Sequence, residues 1–344
     1  MIIAPPHRLR LDTTALVANW RWLRAQGGSA ACGAAVKADG YGLGARAVVA
    51  KLFAVECRDF FVATWAEAAA LMPLPAGASL SVLHGVRAED MAVTKTINAR
   101  PVLNSPEQVR RWREAGGGAC DVMIDTGINR LGMSPKDSSL LDGLAIDTLM
   151  SHLACADEDR PENKAQRSAF VSVARWVPHR RLSLANSAGI CLGPDFGFDL
   201  TRPGLALYGG VPRREAAGHI RQVAYPEAQV LQRRRVPAGG SVGYGGTWTA
   251  ARDTDIAILN IGYADGILRA FSGGGLALAG GRALPFLGRV SMDLIAIDIT
   301  AAPDLGEGDW VTIDYDLPRA SAASGIAQYE LLTALGERFE RYWA

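Results

Sequence analysis

Lys37 stands directly after a short apolar run, Cys32 to Val36, where a strand would end and present the next side chain at its C-terminal edge. A lysine at a strand end is ordinarily a solvated charge. One that is partly desolvated loses some preference for the ammonium form and becomes a usable amine nucleophile. The residues that follow, Asp39-Gly40-Tyr41-Gly42, supply turn formers and an aromatic hydroxyl close to that amine. Further along, Tyr244 lies in the glycine-rich segment VGYGGTW. Its plain reading is an aromatic packed in a hairpin. An unperturbed tyrosine, with a pKa near ~10, is too weakly acidic to serve as a base at neutral pH without help from positive charge or hydrogen bonds. His152 reads on its own as a strand-end histidine, and Arg202 before Pro203 as a turn residue.

Two other motif matches carry no chemistry. Gly40-Tyr41-Gly42-Leu43-Gly44 has the wrong spacing for a dinucleotide fingerprint and lacks its acidic partner. Gly239-Gly240-Ser241-Val242-Gly243 fits the nucleophile-elbow pattern, but it follows a basic segment and no helix is expected after it. The five cysteines, Cys32, Cys57, Cys120, Cys155 and Cys191, are widely spaced, odd in number and without a C-x-x-C, which fits reduced thiols. The five histidines form no H-E-x-x-H and pair with no cysteine, so no metal site is expected.

These candidates need a scaffold. Asp12 or Thr13 can cap a helix whose apolar positions Leu16, Trp20 and Leu23 share one face. After the Gly27-Gly28 break, strand-like segments recur at Cys32 to Val36, Phe60 to Thr64, Leu80 to His84, Pro101 to Leu103, Val122 to Asp125, Thr148 to His152, Leu182 to Asn186 and Leu205 to Gly209. Helical segments separate most of them. One opens at Ser105-Pro106-Glu107-Gln108, with serine as cap, proline at the first helical position and glutamine three residues after the cap. About eight strands alternating with helices over roughly 200 residues fit a parallel (β/α)8 barrel, whose active sites gather at the C-terminal ends of the strands. Past about residue 215 strand-like stretches dominate, around Val230, Leu231 and Val236, Ile256 to Ile261, Leu294 to Ile299, and Val311 and Ile313. Glycine clusters punctuate them, and helical periodicity returns only at Ile326 to Phe339. The expected organisation is a barrel over residues 1–215 and a mostly-β domain over 216–344, with the N-terminal residues up to about Arg10 pairing with the β domain.

The chain has 344 residues, enough for about two domains. With 49% hydrophobic and 21% charged residues it is an ordinary globular composition. Lys and Arg number 36 against 35 Asp and Glu, so no net field gathers nucleic acid or an anionic membrane. No apolar run is long enough to span a bilayer and the start is too short for a signal peptide, so a cytoplasmic protein is expected.

The segment AVKADGYGLGA, Ala35 to Ala45, resembles the pyridoxal-phosphate attachment motif of the alanine racemases, pyridoxal-phosphate enzymes of fold type III. The resemblance runs along nearly the whole chain. It includes IDTGINRLGM from Ile124, SHLACAD from Ser151, LANSAG from Leu184, TRPGLALYG from Thr201, VGYGGTW from Val242, IGYADG from Ile261, GRVSMD from Gly288 and YELLTAL from Tyr329. It implies a (β/α)8 barrel followed by a β domain, and the cofactor pyridoxal 5′-phosphate. Lys37 would hold that cofactor covalently and, once displaced by substrate, act as one acid/base. Racemisation removes a proton from one face of Cα and returns it to the other, so a second group is needed opposite, and the resemblance gives this role to Tyr244 with His152 as its partner. Arg202 would face the pyridine nitrogen; an arginine keeps its proton, so it would donate a hydrogen bond without protonating the ring. The phosphate would be held by Tyr41, Ser187, Tyr329 and the amides of Gly204 and Leu205, and the substrate carboxylate by Arg130 and the Met292 N–H. Tyr263 and Met292 would narrow the pocket, and Asp157, Arg269, Arg289 and Asp293 would line its approach.

Two positions depart from the family pattern. Many relatives carry a lysine, often carbamylated, where this chain has Met123, so the charge that would orient Arg130 is missing. Ser291 replaces a frequent cysteine. The resemblance implies an alanine racemase that works on L- and D-alanine and supplies D-alanine for peptidoglycan. It also implies a head-to-tail homodimer with shared active sites. A related racemase acting on serine or lysine, a decarboxylase on the same barrel and a non-catalytic pyridoxal-phosphate carrier are the alternatives. The last two leave the VGYGGTW segment without a purpose.

Overall fold

The architecture is that of a computed structural model describing residues 5–344. The chain forms two compact units, Leu16–Leu207 with Val211–Arg221, and residues 5–15 with Tyr208–Gly210 and Gln222–Ala344. The expected parallel barrel and mostly-β domain are observed, the strands of the second unit pairing mainly antiparallel.

In the first unit, parallel strands Ala34–Ala35, Asp59–Val62, Ser79–Val82, Arg100–Leu103, Cys120–Met123, Ile146–Met150 and Arg181–Ser183 pair in sequence order. Their short runs of buried apolar residues, such as Phe60-Phe61-Val62, suit a sheet covered on both faces. The ring closes because the first strand is broken at Gly33. Ala31–Cys32 pairs with Leu200–Thr201, while Ala34–Ala35 pairs with Phe60–Phe61. Asp59 approaches this break so closely that a Cβ on Gly33 would lie 2.7 Å from its carbonyl oxygen. Across the last gap, Asp199 N–H donates to Leu182 O at 3.1 Å and Arg202 N–H to Ala185 O at 2.8 Å. Counting the broken strand once gives eight strand positions among the described residues.

Several local expectations hold. Asp12 Oδ1 accepts from Ala15 N–H at 2.8 Å at the start of helix Thr13–Gln26, which buries Leu16, Trp20 and Leu23. Ser105 Oγ caps helix Pro106–Glu114 by accepting from Gln108 N–H at 3.2 Å. One expectation fails: Leu205 to Gly209 is not a strand. Leu205–Tyr208 is a 3-10 turn, and the eighth strand lies upstream at Leu200–Thr201. Pro203 has no N–H to extend the ladder, and the buried run Leu205–Tyr208 reads alike as strand or turn because it is apolar on every side.

The lower part of the barrel interior is polar. Asp59, Arg181, Asp147, Arg100 and Asp121 form a chain of ion pairs across five strand starts, with Arg181 Nη2 at 2.8 Å from Asp59 and 3.0 Å from Asp147. Ser81 Oγ donates to Asp121 at 2.5 Å and Thr148 N–H donates to its other oxygen at 3.0 Å.

In the second unit the long strand Ala224–Val236 pairs with His7–Leu11, Trp310–Ile313 and Thr254–Leu259. Of the N-terminal residues expected to pair here, 1–4 lie outside the described residues. The sheet continues through Ile295–Asp298, Arg282–Leu287 and Leu276–Ala279 back to Trp310–Ile313, so the six strands curl into a barrel. Gly280 and Gly281, both at positive φ, make the two-residue turn between Leu276–Ala279 and Arg282–Leu287. The helical tail expected over Ile326 to Phe339 is instead two helices and a strand: Leu317–Ser324, Gln328–Ala334 and Glu340–Trp343. Asp316 caps the first, and Gly325 at φ 71° ends it. No helix among the described residues is long and apolar enough to cross a membrane.

Candidate active site

Lys37 follows the Ala34–Ala35 strand and begins a turn of unusual hand. Ala38, Asp39, Gly40, Tyr41 and Gly42 all have positive φ, between 51° and 84°. A left-handed turn costs roughly 1–2 kcal/mol for each residue other than glycine, and such strain persists only where the surroundings enforce it. The turn is closed by Gly40 N–H to Val36 O and Gly42 N–H to Ala38 O, each 2.8 Å, and Asp39 Oδ1 accepts from Ala45 N–H at 2.8 Å. Glu67 Oε1 accepts from Ala38 N–H at 2.8 Å. Lys37 is half-buried, and burial, reinforced by the Arg130 charge, lowers its ammonium pKa from the ordinary value; Glu67 opposes this.

Arg202 directly follows the eighth strand, Leu200–Thr201, and is buried. Its guanidinium donates to Ser183 Oγ and, at 2.7 Å, to Ser151 O. Burial pushes its pKa down to about 10, with the Asp121 carboxylate acting the other way, so it remains cationic at neutral pH. His152 comes next to Ser151 at the end of Ile146–Met150. Burial first, then the charges of Arg202, Arg130 and Lys37, pushes its pKa down to about 3, so the ring is neutral. It can exchange hydrogen bonds with a phenol but offers it no positive charge.

Ser187 opens the short helix Ser187–Ile190, and Asn186 Oδ1 caps it by accepting from Gly189 N–H at 2.8 Å. Ser187 Oγ accepts from Gly204 N–H at 3.0 Å and from Ala206 N–H at 3.2 Å. With two donors already received, this hydroxyl has its own proton left to give. Gly204 faces the Tyr41 ring, and Leu205 is buried at the start of the 3-10 turn. Arg130 and Asp157 are exposed. The Arg130 N–H donates to Asp125 Oδ2 at 3.2 Å, and the same carboxylate accepts from Gly127 and Asn129. Met123 is buried.

The remaining candidates belong to the β unit. Tyr244, Tyr263, Arg269, Arg289, Met292 and Asp293 line one pocket there, with Val290 and Ser291. Tyr244, 74% exposed, sits in a turn between Gly243 and Gly245, both at positive φ. The Tyr263 and Met292 loops are joined by Tyr263 N–H to Ser291 O and Ala264 N–H to Met292 O, each 3.0 Å. Arg338 clamps both, donating to Asp265 at 2.7 and 2.8 Å and to Asp293 at 2.8 Å. Tyr329 is on helix Gln328–Ala334 and partly exposed. Among the described residues, no cluster of histidine, cysteine and carboxylates could hold a metal.

Residues 11–212 match the family model described as alanine racemase, N-terminal domain, and residues 223–343 match alanine racemase, C-terminal domain. The chain belongs to the alanine racemase family. It is 42% identical to the alanine racemase of Acidiphilium cryptum, with 97% of each chain covered. It is likewise 42% identical to the catabolic alanine racemase of Agrobacterium fabrum, covering 97% of this chain and 91% of that one. Among solved structures it superposes on alanine racemase from Bartonella henselae, determined with covalently bound pyridoxal phosphate, with a TM-score of 0.90 and 34% identity over 99% of this chain and 100% of that one. Relative to the alanine racemase pattern read from the sequence, the structure adds Glu67, Ser151, Ser183 and Ala206 to the groups around the candidates. Only Glu67 had a legible signal, as the fourth residue of Thr64-Trp65-Ala66-Glu67 before an apolar helix.

Proposed function

We propose that this member of the alanine racemase family interconverts L- and D-alanine with pyridoxal 5′-phosphate held on Lys37. The observation that carries this reading is the left-handed turn that follows Lys37 and brings Tyr41 against Gly204. The residues fit the cofactor. A Cβ on Gly204 would lie 2.2 Å from the Tyr41 hydroxyl, so only glycine leaves room there, and the Ser187 hydroxyl beside it retains a proton to donate. Tyr41, Ser187, Tyr329 and the Gly204 and Leu205 amides would hold the phosphate, and Arg202 would donate to the pyridine nitrogen. When bound, the cofactor draws electrons from the substrate Cα and makes its proton removable.

The chain's own groups then move that proton. Lys37, its ammonium already disfavoured by burial and Arg130, takes or returns the proton on one face of Cα. Tyr244 serves the other face, with neutral His152 as its hydrogen-bonding partner. Arg130 and the Met292 N–H hold the substrate carboxylate. Met123 supplies no anion to Arg130, whose backbone is anchored by Asp125 instead. Tyr263 and Met292 narrow the pocket, and Asp157, Arg269, Arg289 and Asp293 line its approach.

Tyr244, Tyr263, Met292 and Leu294 leave a cluster of large apolar surfaces exposed on the β unit. Such a cluster favours association. We assign it to a second copy of the chain in a head-to-tail homodimer, each copy lending Tyr244 and Met292 to the other's Lys37. The setting is the cytoplasm and the product D-alanine for peptidoglycan. Chiral separation after incubation with L-alanine, L-serine and L-lysine in turn tests the reading. Alanine is expected to be racemised fastest; faster turnover of serine or lysine would move the assignment to a sister racemase, and no turnover of any would leave a carrier.

A further inference from the structure

Glu67 does more than its local position requires. It lies in the first turn of helix Trp65–Ala70 and forms a capping box: Thr64 Oγ1 accepts from Glu67 N–H at 3.2 Å, and Glu67 Oε2 accepts from Thr64 N–H at 3.3 Å and from Ala63 N–H at 2.6 Å. That accounts for one carboxylate oxygen. The other, Oε1, accepts from Ala38 N–H at 2.8 Å, 29 residues away in sequence. Ala38 is the first left-handed residue after Lys37, at φ 51° and ψ 48°. The strands bearing the two ends are neighbours: Ala34–Ala35 pairs with Phe60–Phe61, and Val36 N–H donates to Phe61 O at 2.8 Å. One carboxylate therefore ties the end of the second strand to the backbone that sets where the Lys37 side chain leaves the first.

We propose that Glu67 is a positioning residue for Lys37, holding the Ala38 N–H so that the strained turn keeps the lysine amine aimed at one place. This rests on the reading of Lys37 as the cofactor-bearing lysine. The chemistry demands a carboxylate. Backbone N–H donors approach both oxygens, so a glutamine must turn its own NH2 toward one of them and lose that bond. An aspartate keeps the charge but is one methylene short of spanning both sites. The charged and titratable groups facing Lys37 are Arg130, His152 and Glu67. Removing the Glu67 anion therefore lowers the Lys37 ammonium pKa further, whereas Glu67→Asp leaves that charge in the neighbourhood.

The test compares wild type, Glu67→Gln, Glu67→Asp and Thr64→Ala. Thr64→Ala weakens the helix cap but leaves the Glu67 to Ala38 bond. Three readouts apply: hydrogen exchange of the Ala38 amide in cofactor-free protein, the fraction of Lys37 labelled by borohydride at increasing pyridoxal phosphate, and kcat and KM for alanine against pH. Glu67→Gln is expected to lose Ala38 protection, and to lower cofactor affinity and kcat by about tenfold to a hundredfold with KM little changed. Its pH profile moves to lower pH. Glu67→Asp loses protection without that pH movement, and Thr64→Ala keeps protection, labelling and kcat. Protection and labelling within about twofold of wild type in Glu67→Gln would overturn the proposal, as would equal losses in Thr64→Ala, which would reduce Glu67 to a helix cap. Should Glu67→Gln not fold, the contrast of Glu67→Asp with Thr64→Ala decides alone. Should wild type fail to label at Lys37, the cofactor reading falls, while the exchange of Ala38 still reports whether Glu67 holds the turn.

Discussion

Gly204 faces Tyr41 so closely that a Cβ at Gly204 would sit 2.2 Å from the phenol oxygen and 2.8 Å from its Cζ. Tyr41 is buried and rooted in the left-handed turn at φ 57°, so it cannot yield by a simple rotation. Gly204→Ala is therefore expected to push the Tyr41 hydroxyl from its place against Gly204. Titration of the cofactor-free variant with pyridoxal phosphate should show affinity reduced by about tenfold or more, near ~1.4 kcal/mol. Thermal unfolding of the cofactor-free form should change less. Undiminished affinity would remove Tyr41 and Gly204 from the phosphate site.

The second expectation concerns assembly. Lys37→Ala and Tyr244→Phe proteins should each be nearly inactive. Unfolded together and refolded, about half of randomly paired dimers are mixed, each with one intact site and one doubly defective site. Activity should recover to roughly a quarter of wild type on the same symmetry argument. No recovery, with mixed dimers verified by mass, would show that one chain supplies both residues.

Asp147 anchors the ion-pair chain inside the barrel, between Arg100, Arg180 and Arg181. Burial raises its carboxyl pKa, but the three guanidinium groups outweigh it and hold it below the usual range. A depressed folded-state pKa adds stability that is present above the unfolded value and lost as pH falls through the folded one. Asp147→Asn should thus destabilise by about 1–3 kcal/mol at neutral pH by leaving the half-buried Arg100 and Arg181 short of a partner. The gap to wild type should close as the pH drops below about 4, and chemical denaturation at several pH values would measure it. A gap independent of pH would mean the charge contributes nothing.

How far the molecule is legible in its sequence differs by element. Seven strand positions of the barrel were placed because short buried runs such as Phe60-Phe61-Val62 bounded by helices have few other uses. The eighth was misplaced because Leu205–Tyr208 is apolar throughout and carries no period to separate strand from turn. The helix at Leu317–Ser324 was missed, although Asp316 and Pro318 mark its start, because its small residues from Ala320 to Ser324 carry almost no apolar period. The motifs gave Lys37, Arg202 and Tyr244, since those roles are tied to residue type. The groups that set Arg202, a serine hydroxyl at 183 and a carbonyl at 151, could not be found that way. A backbone oxygen has no side-chain signature, and the contacts join residues 19 and 51 apart in sequence. The positive φ of Ala38, Asp39 and Tyr41 was equally hidden, because those residue types do not announce a left-handed turn as glycine does.

The central claim is that the lysine preceding this left-handed turn carries the cofactor. The holoprotein is reduced with borohydride in a partially quenched series, digested and mapped, while racemisation of alanine is followed on the same samples. Pyridoxyl label on Lys37, rising in step with the loss of activity, is the expected result. Label on another lysine such as Lys51 or Lys136, or full loss of activity with Lys37 unmodified, would contradict it.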